Sequence, residues 1–259
     1  MNIDRETVRK IVTEDLDMRK VCAKMVPKEL TEEQKQRRVI ICQDLLERQV
    51  DILGCVITGD ETWFHQDDPE MKWQSAQWKT ANSPQPKKFH WSKSRVKTML
   101  LTFFDIRGVV HYEFVSTGQT VNQVYYLEVR ERLHEEVRWK QPKLFANNSG
   151  ILNHDNAPAH PALSVREFLA TEQITVLEHT ACSPDLAPSD LFLFLKIKET
   201  LKGRHFDDTD DIRSNTMAAL KAIPQNQFQN CFDRWTRYWH RCIASQREYF
   251  EGDQGGIQQ

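Results

Sequence analysis

The sequence predicts an α/β protein: a mixed five-stranded sheet, three antiparallel strands plus two more, flanked by helices and preceded by a helical arm. Three observations point there. Apolar runs of strand type crowd into residues 52–115, helical periodicity alternates with short strand patterns over 122–195, and the first 45 residues are highly charged and helical in texture.

In the arm, apolar positions Ile3, Val8 and Ile11, and then Val39, Ile40, Ile41, Leu45 and Leu46, surround a Glu/Lys/Arg-rich stretch. From Val50 the texture changes. Ile52 to Thr58 reads as a short buried strand, and Val96 to Phe104 and Val109 to Val115 as two more, joined by the turn Asp105-Ile106-Arg107-Gly108. A helix follows near Asn122 to Trp139, with Val124, Leu127 and Val137 apolar and Glu128 spaced to meet Arg132. Then come a strand at Gly150 to His154, a helix opening at Pro158, a strand at Ile174 to Leu177 and a helix opening near Pro188. The order βββ-α-β-α-β-α suits a three-stranded meander extended by two strands that return through helical crossovers, and an RNase H-like layout is one solution. Trp235, Tyr238 and Trp239 have near-helical spacing and read as core packing.

Composition narrows the function classes. Thirty-five Lys plus Arg against 37 Asp plus Glu give a formal charge of −2, so any basic surface for a polyanion must be local. The longest apolar runs, Met99 to Phe104 and Leu191 to Leu195, are far shorter than the roughly 20 residues of a membrane span, and charge in the first six residues argues against a secretory signal. A soluble intracellular protein with no membrane partner is expected. The six cysteines form no C-x-x-C pair and read as reduced thiols, mostly core filler.

Three carboxylates stand where strands end or helices begin. Asp60 follows the first strand run, Asp155 follows the fourth, and Asp190 lies two residues past Pro188 in the first turn of the last helix. Singly they could be a turn residue, a helix cap and an acid favoured by a helix dipole. Together, in an open sheet where ligands gather at strand ends, they are candidates for a shared site. Such a cluster is costly unless a cation neutralises it, and magnesium or manganese, which prefer oxygen ligands, suit it. Two ions about 4 Å apart would serve phosphodiester cleavage and transfer. Glu61 would point to the opposite face if the strand continues through it.

The segments Ile57-Thr58-Gly59-Asp60-Glu61-Thr62-Trp63, His154-Asp155-Asn156-Ala157-Pro158-Ala159-His160 and Ser183-Pro184-Asp185-Leu186-Ala187-Pro188-Ser189-Asp190 resemble the three catalytic blocks of the mariner transposases, within the Tc1/mariner superfamily, and 34 residues separate Asp155 from Asp190 as in that family's aspartate triad. The resemblance runs from about Ile3 to Asp253. It implies an RNase H-like catalytic domain in which Asp60, Asp155 and Asp190 are both catalytic residues and ligands of Mg2+ (or Mn2+), DNA strand cleavage at transposon ends, strand transfer to TA targets, and a nuclear location. It also implies a division into residues 1–45, a remnant of the last helix-turn-helix helix plus linker arm; residues 46–253, the catalytic domain, with a clamp-like loop at about 67–95; and a flexible tail, 254–259.

The same resemblance marks departures. Met25 and Lys28 stand where the linker motif usually has Trp and His, so a weak homodimer is expected, and Thr180-Ala181-Cys182 replaces the usual Pro-Pro-Tyr. Most of the family's end-binding region has no counterpart here, so impaired activity is expected; a catalytically idle, transposon-derived protein with a weak DNA-binding or dimerisation role is the alternative, and a cellular RNase H-like nuclease a third. For DNA contact the candidates are Lys87, Lys88, Lys93, Arg95 and Lys97, interleaved with Phe89 and Trp91, together with His160, read as a phosphate contact or cap.

Overall fold

The computed structural model describes residues 4–18, 28–68, 94–147, 149–155, 157, 159–180 and 183–245. Helix α1 (Arg5–Lys10) is capped by Asp4 and runs into a π-helical turn, Ile11–Asp15. Helix α2 (Glu32–Glu47) opens on a reciprocal capping box in which Thr31 and Gln34 each bond the other's backbone N–H, and α3 (Gln49–Ile52) follows it. Strands β1 (Val56–His65), β2 (Lys97–Asp105) and β3 (Gly108–Val115) form the antiparallel meander. The β2–β3 turn is held by Asp105, whose Oδ1 accepts the N–H groups of Arg107 (2.8 Å) and Gly108 (3.1 Å), and Gly108 takes φ 138°, a conformation that disfavours a side chain.

Helix α4 (Gln123–Lys140), capped by Asn122, leads through α5 (Pro142–Ala146) to β4 (Ile151–Asn153), α6 (Leu163–Thr171) and β5 (Thr175–Val176). A 3-10 turn (Pro184–Leu186) and a π-helical segment (Ser189–Leu193) then feed α7 (Phe194–Leu201), followed by α8 (Thr209–Lys221) and α9 (Gln225–Ala244). The sheet order is β3-β2-β1-β4-β5, with β4 parallel to β1 and β5 parallel to β4. The expected mixed sheet, three antiparallel strands plus two, is the one formed.

Side chains alternate along each strand, so β1 and β2 feed two separate cores. On one face Val56, Phe64, Leu100 and Phe104 pack with Ile197, Phe228, Phe232, Trp235 and Trp239 of α7 and α9. On the other, Ile57, Leu101 and Phe103 pack with Tyr126, Val129 and Leu133 of α4 and Val165 and Leu169 of α6. Trp235 and Trp239 are core residues as read, and Cys42, Cys231 and Cys242 are buried free thiols.

Three expectations need correction. The boundary drawn at residue 45 falls inside α2, whose Arg38, Ile41, Cys42 and Leu45 are buried, the last three in the same core as α9, so α2 belongs to the globular body. The helix expected at Pro158 begins at Leu163, because the chain first makes a turn through Ala159 to Pro161. Two helices, α8 and α9, extend the predicted element order and close the first face. Among the described residues no helix is long and apolar enough to cross a membrane.

Candidate metal centre

The parallel pairing of β1 with β4 frames the candidate centre. Its register sets Val56 opposite Ile151, Ile57 opposite Leu152 and Thr58 opposite Asn153, and the Asn153 amide donates to Thr58 Oγ1 at 3.1 Å. The pairing stops there, two residues short of Asp60 on β1 and of Asp155 beyond β4. Asp60 itself is not at a strand end, as expected, but in the middle of β1, because β2 pairs with β1 residue by residue from Thr58–Phe104 to His65–Lys97. Gly59 precedes it for a steric reason: a Cβ there would lie 2.1 Å from the ring of Phe103, its cross-strand partner.

Asp190 arrives from the π-helical segment, which packs against β1. The loop leading to it is fastened twice. Arg38 of α2 is fully buried and donates to Ser183 Oγ (2.5 Å) and to both carboxylate oxygens of Asp185 (2.9 and 2.6 Å). The Trp235 indole N–H donates to the Leu186 carbonyl at 2.8 Å. Lys198, about two turns beyond Asp190 in α7, donates to Thr62 Oγ1 at 2.7 Å, two residues past Asp60 on the same face of β1.

Asp60 and Asp190 both feel the charge of Asp155. Burial, then the charges of Asp190 and Glu61 and, more weakly, Asp155, push Asp60 up to about 8. Burial and the charge of Asp155 raise Asp190 against the pull of Lys198. Burial would raise Asp155 as well, but its contacts with His160 and the Ala157 N–H outweigh that and hold it below the usual carboxylate range. A half-buried, all-oxygen donor set of like charge fits a hard divalent cation. The three aspartates do not, however, bring one ligand atom each within 4.8 Å of the others; among the described residues Glu61, Asp155 and His160 do.

His160 is therefore not a surface phosphate contact. It is 2% exposed, with Nδ1 2.8 Å from Asp155 Oδ1, Nε2 3.4 Å from Glu61 Oε1, and its ring stacked on Tyr126 at 4.0 Å between centroids. Burial opposes its protonation, but the flanking carboxylates raise it to about 9. Glu61 does point away from Asp60, as expected, and meets His160 there. Beside them His154 bonds the Tyr126 hydroxyl at 3.2 Å and is pushed down to about 2 by burial and then by the charge of Arg130. Reading the sequence missed the Glu61–His160–Asp155 connection; the one local signal was the closing histidine of the second block. Of the basic candidates, Arg95 and Lys97 are exposed, with Lys97 Nζ 3.9 Å over the Trp63 ring; Lys87, Lys88 and Lys93, most of the clamp-like loop, and Met25 lie outside the described residues. Lys28 is exposed.

Comparison with known proteins bears on the family and the fold. Residues 68–146 match the family model "Transposase (partial DDE domain)". The mariner Mos1 transposase of Drosophila mauritiana is 32% identical over 231 residues, which are 87% of this chain and 66% of Mos1, so the chain spans about two thirds of that relative's length. The crystal structure of the Mos1 catalytic domain superposes with a TM-score of 0.72 at 32% identity, covering 88% of this chain and 100% of that one. The Mos1 paired-end complexes with Mn and with Mg give a TM-score of 0.83 at 30% identity, over 96% of this chain and 72% of theirs.

Proposed function

The chain belongs to the mariner family of transposases, and from that premise we propose that it is a DNA transposase catalytic domain whose Asp60, Asp155 and Asp190 hold Mg2+ or Mn2+. The proposal is supported by the β1–β4 register, which continued two residues would set Asp155 level with Asp60, and by the fastened loop that leads to a third half-buried carboxylate, Asp190. Divalent ions bound there would supply an activated water or 3′-hydroxyl and stabilise the leaving oxygen of a phosphodiester. The protein's own part is to hold three acids at fixed places on separate elements, so that the ions and the strand meet in one geometry. Lys198 is placed to balance charge around Asp190. The substrate class is DNA, transposon ends and TA target sites, and the place of action is the nucleus. A second copy of the chain is the assembly partner, with Lys28 exposed at the linker.

The test is nicking of supercoiled plasmid by the full chain with Mn2+ or Mg2+, beside Asp60→Asn, Asp155→Asn and Asp190→Asn. Metal-dependent nicking that each substitution reduces at least about a hundredfold, near 2.7 kcal/mol of barrier, supports the reading. Nicking that survives any one of the three removes that aspartate from the centre.

A further inference from the structure

Building on that metal-centre reading, we propose that Glu61 and His160 are positioning residues for Asp155: His160, steadied from behind by Glu61, holds one carboxylate oxygen of Asp155 and so leaves the other presented to the divalent cation. The grip is visible atom by atom. Asp155 Oδ1 takes the Ala157 N–H at 3.0 Å and faces His160 Nδ1 at 2.8 Å. The same nitrogen lies 3.0 Å from the Asp155 backbone carbonyl, so the ring spans backbone and side chain of one residue and restrains its rotation. Both described contacts of the carboxylate fall on Oδ1.

The ring is held on its other sides too. Its face lies on Tyr126 at 4.0 Å with 25° between planes, and the Tyr126 hydroxyl is engaged by His154. Its Nε2, which makes no hydrogen bond of good geometry, faces Glu61 Oε1 at 3.4 Å. Strand β1 thus contributes to the centre twice. Asp60 enters it directly, and Glu61, sent to the opposite face by strand alternation, reaches it through His160. Partners that orient a metal ligand in this way are typically worth a factor of about 10 to 100 in metal affinity.

The test is Mn2+ titration of the full chain by electron paramagnetic resonance, which reads binding without turnover. Two substitutions of His160 separate positioning from space filling, because an asparagine amide nitrogen falls near the place of Nδ1 and a glutamine amide nitrogen near that of Nε2. His160→Gln should weaken Mn2+ binding by about 10- to 100-fold, His160→Asn should recover most of the loss, and Glu61→Gln should cost a smaller factor of about 3 to 10. Asp155→Asn should abolish the site. Equal affinity in wild type, His160→Gln and Glu61→Gln, with Asp155→Asn still defective, overturns the positioning role and leaves the metal-centre reading intact. Wild-type binding no tighter than that of Asp155→Asn overturns both. A directly bound histidine nitrogen in the spin-echo spectrum, lost in His160→Gln, would make His160 a ligand and overturn the inference. Thermal melts without metal identify any variant that fails to fold; if His160→Gln does, Glu61→Gln, which keeps the ring and its stacking, decides.

Discussion

Two arginines are buried on opposite faces of the sheet, and they are held in opposite ways. Arg38, fully buried, binds Ser183 and both oxygens of Asp185 and so ties α2 to the loop that carries Asp190. Arg130, 2% exposed, makes no hydrogen bond through any of its three nitrogens; its guanidinium lies 4.4 Å from the ring centre of Tyr126 and 4.7 Å from that of Phe103, and burial lowers it to about 9 against the opposing charge of Glu61. Burying a guanidinium stabilises only when its charge and its donors are answered. On the first face a buried cation organises the third catalytic block; on the second an aromatic sandwich tolerates one.

The largest expected effect breaks the first face. Arg38→Met leaves Asp185 without its buried partner and should cost about 3–5 kcal/mol in urea unfolding, with Asp190 loosened as well. A cost below about 1 kcal/mol would mean that the pair does not hold this loop.

Next is Gly59→Ala, which drives a methyl into the Phe103 ring on which Arg130 rests. Overpacking of this kind costs about 1–3 kcal/mol, and since Asp60 is the next residue, nicking should fall more than stability does. An alanine variant with wild-type melting and activity would show that Phe103 has room to move.

Arg130→Met should then go the other way from Arg38→Met, with no loss or a gain of up to about 2 kcal/mol, since no hydrogen bond is lost. The side chain borders a cavity of about 110 Å3 lined by Leu133, Val137, Leu152 and Phe168, which methionine can share. Strong destabilisation would mean that the two rings and the charge of Glu61 together stabilise this cation beyond the cost of burying it.

The smallest effect lies at the solvent edge of the same face, where half-buried Glu113 meets His111 (2.6 Å) and Arg132 (2.7 and 2.8 Å). Burial opposes the shift, but these contacts hold Glu113 down at about 2, below its ordinary 4.5. A depressed folded-state pKa contributes stability above pH 4.5 that is lost as pH falls from there towards 2. Solvent screening keeps the contribution under about 1 kcal/mol. Glu113→Gln should flatten the acid limb of stability against pH in that window and leave pH 7 within that margin; an unchanged limb would show the triad of charges to be decorative.

Neighbouring residues were enough to give the strand and helix alternation, the Asp105–Gly108 turn and the aromatic packing of α9, and the family resemblance of three blocks singled out Asp60, Asp155 and Asp190 as candidates. These follow from local periodicity, turn chemistry and block spacing, which neighbouring residues carry. Contacts across the chain set the rest: Asp60 sits inside a strand and not after one, α2 joins the core through Ile41 and Leu45 and the third block through Arg38, and His160 is buried between Glu61 and Asp155 rather than turned to DNA. Each of these depends on which distant segment lies alongside. Strand register, the alternation that sends Asp60 and Glu61 to opposite faces, and the pairing of a buried charge are set by contacts across the chain, which spacing along it does not record.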